Sequence, residues 1–339
     1  MYRKIMGFLK AWKENKHRKP LILQGARQVG KTYSILEFGR THYENVAYFN
    51  FETNPKLNET FEENISPDYL IPILSHIAGQ TIVKEKTLIV FDEVQLCERA
   101  LTSLKYFCED APDYHIVVAG SLLGVAVNRA KFSFPVGKVD MKTLYPMDME
   151  EFMLALGEDD LVEQIKKCFS TDTPLPSALH DAAMQLYRKY LVVGGMPDVV
   201  QTYVNTHDIG KVIQVQRNIL ELYRQDIAKY AEGSDKKKIK AIFDSIASQL
   251  DDKNRRFVLN HIDENGRMNR YESKNNRKNL RLFFDVFERV IVCAYFYICI
   301  LLRTSSLNRL RSRIVTSVTS MIIAQVRTMA DQERAIGTA

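Results

Sequence analysis

The sequence is short of the features that would mark export, a membrane span or a metal centre. Its five cysteines, Cys97, Cys108, Cys168, Cys293 and Cys299, are scattered, with no CxxC pair and no partnering histidine cluster. That excludes a zinc site of the usual spacing and a disulfide framework, and it fits a reducing, cytoplasmic setting. Residues Met1 to Lys10 hold no continuous apolar stretch and no small-residue cleavage site, so no export is expected. The uncharged run Val290 to Leu302 is 13 residues long, short of the roughly 20 that cross a bilayer, and no membrane partner is expected. No internal repeat is visible.

A global excess of one charge is also missing from most of the chain. The net charge is +6, but residues 273–339 carry 11 Lys and Arg against 4 Asp and Glu, a net of +7 that leaves −1 for residues 1–272. The basic character therefore belongs to the tail, and the body offers a nucleic acid only local patches. What is present is a 339-residue chain, 46% hydrophobic and 26% charged, with the composition of a globular protein and the length of two domains.

Lys19 to Gly25 is a short apolar run closing on glycine, and a helix is expected from Lys31 to about Gly39. Strand composition recurs at Asn45 to Phe51, Thr87 to Phe91, Tyr114 to Ala119 and Lys138 to Leu144, with helical pattern over Leu57 to Ile77 and Cys97 to Asp110. Strands alternating with helices predict an α/β, three-layer domain with a parallel sheet over residues 1–147. From Asp148 the pattern turns helical, giving a helical domain over 148–231. Lys236 to Ile262 suits a winged-helix module at 232–272, and 273–339 reads as an atypical basic tail.

The sequence Gly25-Ala26-Arg27-Gln28-Val29-Gly30-Lys31-Thr32 is a GxxxxGKT phosphate loop, with strand before and helix after. Its glycines let the backbone wrap phosphates, and the following helix N-terminus favours negative charge. Lys31 reaches the β- and γ-phosphates and the Thr32 hydroxyl ligates Mg²⁺, with Tyr33 next in line. Asp92 ends a strand and would hold the metal; Glu93, beside it, suits polarising an attacking water. An ordinary helix cap and first-turn acid is the competing reading of that pair. Ser121 is either a nucleotide-sensing group or a cap. Arg27, Arg129 and Lys138 are candidates for neutralising transition-state charge or solvated surface charges. Gly194-Gly195-Met196-Pro197 is a helix C-cap with a proline stop or a nucleotide-contacting turn through Gly195 and Pro197. Lys236, Lys237, Lys238 and Lys240, then Lys253, Arg255 and Arg256, are either a solvated surface or a DNA-backbone contact. No guanine-reading Asn-Lys-x-Asp follows these motifs, so nothing in them selects GTP over ATP.

The segments GARQVGKT, LIVFDEVQ, VVAGSLLG, FPVGKVDMKTLYPMDMEEF, YLVVGGMPDVV, ELYRQDIAKY and RRFVLNHIDENGRMNRYE, in this order, resemble a bacterial and archaeal family of AAA-type ATPases with helical and winged-helix parts. The resemblance covers about Lys4 to Glu272. It implies nucleotide and Mg²⁺ roles for Lys31, Thr32, Asp92 and Glu93, a sensor role for Ser121 and a nucleotide-reading role for the Gly-Met-Pro turn, with a protein partner or a homo-oligomer as further partners. Family members commonly continue into a restriction-endonuclease-like domain. Here the abrupt change past Glu272, with no Asp…Glu-x-Lys arrangement, reads as a disrupted reading frame. The expected activity is Mg²⁺-dependent ATP hydrolysis driving a conformational switch. The alternatives are a slow nucleotide-dependent binding switch that docks DNA or a protein, and a remnant that only binds nucleotide.

Overall fold

The computed structural model describes residues 1–120 and 135–230. Ser121, Arg129, the segment 232–272 expected to be a winged helix, with its lysines and arginines, and the tail with its uncharged run lie outside the described residues.

Five strands form one sheet, β1 (Leu21–Gln24), β2 (Asn45–Asn50), β3 (Thr87–Asp92), β4 (His115–Gly120) and β5 (Asp140–Thr143). The order is β2-β3-β4-β1-β5 and every pairing is parallel. The apolar runs of β3 and β4 are buried along their whole length, as strands covered on both faces must be. β2 and β5 are the edges. β5 reads Asp-Met-Lys-Thr and is half exposed, which an edge strand tolerates and a central one does not. β4 lies between the strand that enters the phosphate loop and the strand that ends at Asp92.

The helices are α1 (Ile5–Glu14), α2 (Lys31–His42), α3 (Lys56–Glu63), α4 (Pro67–Ala78), α5 (Glu98–Asp110), α6 (Met149–Ala155), α7 (Asp159–Ser170), α8 (Ser177–Val193), α9 (Pro197–Thr206) and α10 (Ile209–Tyr230). The single helical stretch expected over Leu57 to Ile77 is two helices, because Asn64 leaves helical geometry and Pro67 restarts the chain at a first helical position. α1 was not anticipated. Its Ile5, Leu9 and Trp12 fall on one face and are buried, and the Trp12 indole donates to Lys19 O at 2.9 Å.

The main core packs β2, β3 and β4 against α3, α4 and α5 through Phe49, Phe51, Phe61 and Phe91, whose ring centroids lie 5.6 to 6.0 Å apart. The chain divides into two compact units, one of residues 1–187 and 195–205, the other of 188–194 and 206–339. The boundary expected at 147 is thus not where the structure divides: α6 and α7 belong with the sheet. They pack on α8 through Met153, Leu161, Val162 and Leu186. In the described part of the second unit, the buried Gln216 amide donates to Val192 O at 2.9 Å and Val193 O at 3.0 Å.

At the start of β4 the His115 ring is 3% exposed, and its Nδ1 pairs with the Tyr43 hydroxyl at 2.7 Å. Burial, then the Arg18 and Lys13 charges, lowers its pKa from 6.5 to about 4. The unfolded chain therefore binds a proton that the folded chain refuses between pH 6.5 and 4, and stability falls through that window on acidification. His115→Gln keeps a partner for Tyr43 and should flatten the fall by roughly 3 kcal/mol. Denaturant midpoints at pH 7 and pH 4.5 measure it, and an equal acid loss in both proteins would contradict the assignment.

Candidate functional site

β1 ends at Gln24 and the chain turns at once into the loop Gly25 to Gly30, which delivers α2. Gly30, the residue before that helix, sits at φ 87°, a left-handed conformation that glycine adopts without penalty. Ser34 N donates back to Gly30 O at 2.9 Å, leaving the first-turn N–H groups of α2 without helical acceptors, as at any helix start. This is the anion-holding geometry expected from the motif. Gln28 is exposed and also left-handed, at φ 62°. Val29 is buried, and Tyr33 is exposed on the first turn of α2.

The Lys31 ammonium lies folded onto the loop and donates to Gly25 O at 3.0 Å and Ala26 O at 2.8 Å. Burial lowers its pKa from 10.5 to about 8; Glu93 and Asp92 pull it back up and Arg27 presses it further down. A charge held this far out of water is short of partners, which a polyphosphate would supply.

Thr32 donates its hydroxyl to Asp92 Oδ2 at 2.8 Å across the gap between α2 and β3. The same oxygen accepts the Tyr48 hydroxyl from β2 at 2.8 Å, and Oδ1 accepts Glu93 N at 3.0 Å. Burial, with the Asp92 charge adding to it, pushes the Tyr48 phenol up to about 12, so it stays a donor. Asp92, 5% exposed, is thereby fixed in aim. Among the described residues no group of three or more His, Cys, Asp or Glu could cage a metal ion. A hydroxyl and one carboxylate are instead the sparse oxygen set that suits Mg²⁺ held jointly by protein, phosphates and water.

Glu93 follows Asp92 with left-handed backbone, φ 53°. Such a conformation costs a non-glycine residue energy and concentrates at functional positions. Gln95 donates its side-chain amide to Glu93 Oε2, so the carboxylate has a tether.

Of the other expected site residues, Pro197 comes to the loop: its Cγ lies 3.7 Å from where a Cβ on Gly30 would stand. Gly195 is demanded by space, since a Cβ there would meet Met147 O at 2.1 Å. Gly195→Ala is expected to cost about 1–3 kcal/mol, read as a fall in Tm of about 2–10 °C; an unchanged Tm would contradict the packing. Lys138 is a correction. It precedes β5 at the end of the sheet away from the loop and pairs with Glu109 at 2.9 Å, so within its own chain it does not stand at the phosphate loop.

Tyr48, Gln95 and Arg3 were missed in the sequence. Arg3 is 5% exposed and donates to Val29 O in the loop, to Tyr145 O after β5 and to Glu151. Only the Asp148-x-x-Glu151 capping-box spacing could have pointed to part of this group, and it signals a helix start alone. Cys97, Cys108 and Cys168 are free thiols, and burial pushes the Cys97 thiol up to about 11. Among the described residues no helix is long and apolar enough to cross a membrane.

Residues 17–153 match the family model described as an AAA domain, and residues 184–293 match that of a domain of unknown function. The second match runs past Glu272, across the point where the atypical tail was expected to begin. No curated protein matches the chain. Among solved structures the chain is similar to PCH-2 of C. elegans, at 12% identity over 61% of this chain and 63% of that one, with a TM-score of 0.35. It is similar to AMPPCP-bound DnaA of Aquifex aeolicus, at 12% identity over 83% and 92%, TM-score 0.33. It is also similar to ORC2 of Aeropyrum pernix in its ADPNP–ADP complexes, at 12% over 96% and 95%, TM-score 0.40. The chain spans less than two thirds of PCH-2. Residues 17–153 thus form a P-loop α/β domain with a parallel sheet, similar to the AAA domain.

Proposed function

We infer that the chain binds ATP with Mg²⁺ at the Gly25–Tyr33 loop and hydrolyses it. The observation that carries this reading is the junction of Thr32 with Asp92 at 2.8 Å, 60 residues apart in sequence, with Glu93 next to it and Lys31 one residue before. Lys31 would leave the loop carbonyls for the β- and γ-phosphate oxygens, and the Gly30–Tyr33 N–H groups would take the remaining phosphate charge. Thr32 and Asp92 would hold Mg²⁺, which when bound offsets phosphate charge. Glu93 would accept the proton of, or orient, the attacking water. Pro197, beside Gly30, and with it Gly195, would register whether phosphate is present.

The Gln95 tether favours a second reading of the same site, a slow binding switch. While Gln95 holds its carboxylate, Glu93 is not free to take a water, and turnover waits on whatever releases it. Phosphate release from Mg²⁺-ATP by the full chain tests the first reading. Release that is stoichiometric and stops after one turnover would support the second; none at all would overturn hydrolysis.

A further inference from the structure

Arg3 has a position that ordinary packing does not require. Its guanidinium is buried, and each nitrogen has a partner from a distant part of the chain. Nε donates to Glu151 Oε1 at 3.2 Å, Nη1 to Val29 O at 2.9 Å and Nη2 to Tyr145 O at 2.8 Å. Burying a permanent charge is costly unless it is fully bonded, and only a planar fork can serve three directions at once.

The Val29 carbonyl matters because it shares a planar trans peptide with the Gly30 N–H. Holding the oxygen on Arg3 points that N–H the opposite way, and the flanking residues Gln28 and Gly30 are both left-handed. The loop is thus pinned at its most contorted peptide. At the other end, Glu151 belongs to the cap of α6. Its Oε2 accepts Asp148 N at 3.2 Å, its Oε1 accepts Lys4 N at 2.6 Å, and Asp148 Oδ1 accepts Glu151 N at 2.9 Å.

Between these ends runs the connection from β5 to α6, residues 144–148, which both the loop and the Gly-Met-Pro turn approach at backbone distance. Leu144 N donates to Gln24 O at 2.8 Å, and a Cβ on Gly25 would stand 2.3 Å from Leu144 O. Met147 N donates to Gly195 O at 2.6 Å. Pro197 then returns to Gly30. Loop, Arg3, connection and turn form a closed circuit of side-chain and backbone contacts.

We propose that Arg3 is a positioning residue of this site: it sets the Val29–Gly30 peptide for phosphate and ties the loop to the 144–148 connection, so that a nucleotide seated in the loop is felt at Gly195–Pro197. The proposal rests on the reading that the loop binds ATP. Arg3 lies outside residues 17–153, yet it bonds both the loop and the far end of that segment.

Two variants of the full chain test it, Arg3→Lys, which keeps a charge opposite Glu151, and Arg3→Gln, which keeps a donor without charge. Each is titrated with Mg²⁺-ATP, and hydrogen exchange is followed on peptides covering 144–152 and 195–200, with and without ATP, well below the measured Tm. In the wild type, ATP should slow exchange in both peptides. In Arg3→Lys, which keeps the charge opposite Glu151 but gives up part of the fork, the Tm should fall by about a few degrees, while in the folded protein ATP affinity falls about tenfold or more, the size of one lost charge-assisted hydrogen bond, and the ATP-dependent slowing at 144–152 disappears. Arg3→Gln should show the same with a lower Tm; if it does not fold, Arg3→Lys decides. Wild-type affinity and wild-type slowing in the folded variants would overturn the role of Arg3 while leaving the nucleotide site intact. A wild type that binds no ATP would overturn both.

Discussion

Replacing Glu93 by Gln should lower kcat for ATP hydrolysis by about 10²–10⁴-fold, the range for removal of a positioned general base, while ATP affinity stays within a few-fold of wild type. The reasoning is local. Glutamine preserves length and shape and leaves Asp92 untouched, with its bonds to Thr32, Tyr48 and the residue-93 N–H. The left-handed backbone at this position, φ 53°, is kept by the β3 end and not by the carboxylate. What changes is the ability to take a proton from water. Single-turnover phosphate release set beside equilibrium ATP binding separates the two quantities. Normal turnover in the variant would remove Glu93 from the mechanism and leave the Asp92–Glu93 pair as a cap.

Lys31→Ala should abolish binding in the ordinary range, with affinity falling by about 10²-fold or more as charge-assisted bonds to two phosphates are lost at roughly 1.5–3 kcal/mol each. Its effect on the free protein has the opposite sign. The folded pKa, about 8, lies below the unfolded 10.5, so between those values the unfolded chain binds the extra proton and wild-type stability rises with pH. Below pH 8 the buried ammonium costs the fold roughly 3 kcal/mol. The variant should therefore be as stable as wild type or more so at pH 7, and it should lack the wild-type rise between pH 8 and 10.5. Denaturant melts at pH 7.5 and 10, alongside ATP titration, check both halves; a variant that loses stability at pH 7 would show that Lys31 is a structural cation.

Much of the sheet could be read from the sequence because its physics is local. Thr87 to Phe91 and Tyr114 to Ala119 are uninterrupted apolar runs, and burial on both faces is what such runs are for. The loop was equally legible, since glycine, lysine and threonine at fixed spacing carry their own chemistry. β5 was harder to place, because an edge strand needs few apolar residues. α1 carries a helical stripe in Ile5, Leu9 and Trp12 but announces no start, since no capping side chain or first-turn acid marks its N-terminus. Arg3 and Lys138 show where local reading ends. One is a terminal arginine that only tertiary structure brings 148 residues along the chain to Glu151. The other is a lysine before a sheet strand whose direction decides that it lies at the end of the sheet away from the loop. Tyr48 and Gln95 belong with Arg3: each acts on a motif residue through a contact that spacing does not encode.

The most direct test of the account is a calorimetric titration of the full-length wild-type chain with ATP, with and without Mg²⁺, beside Lys31→Ala. Saturable binding of one ATP per chain that tightens with Mg²⁺ and is lost in the variant is the predicted result. Equal heats from wild type and variant, or no saturable binding by either, would contradict it.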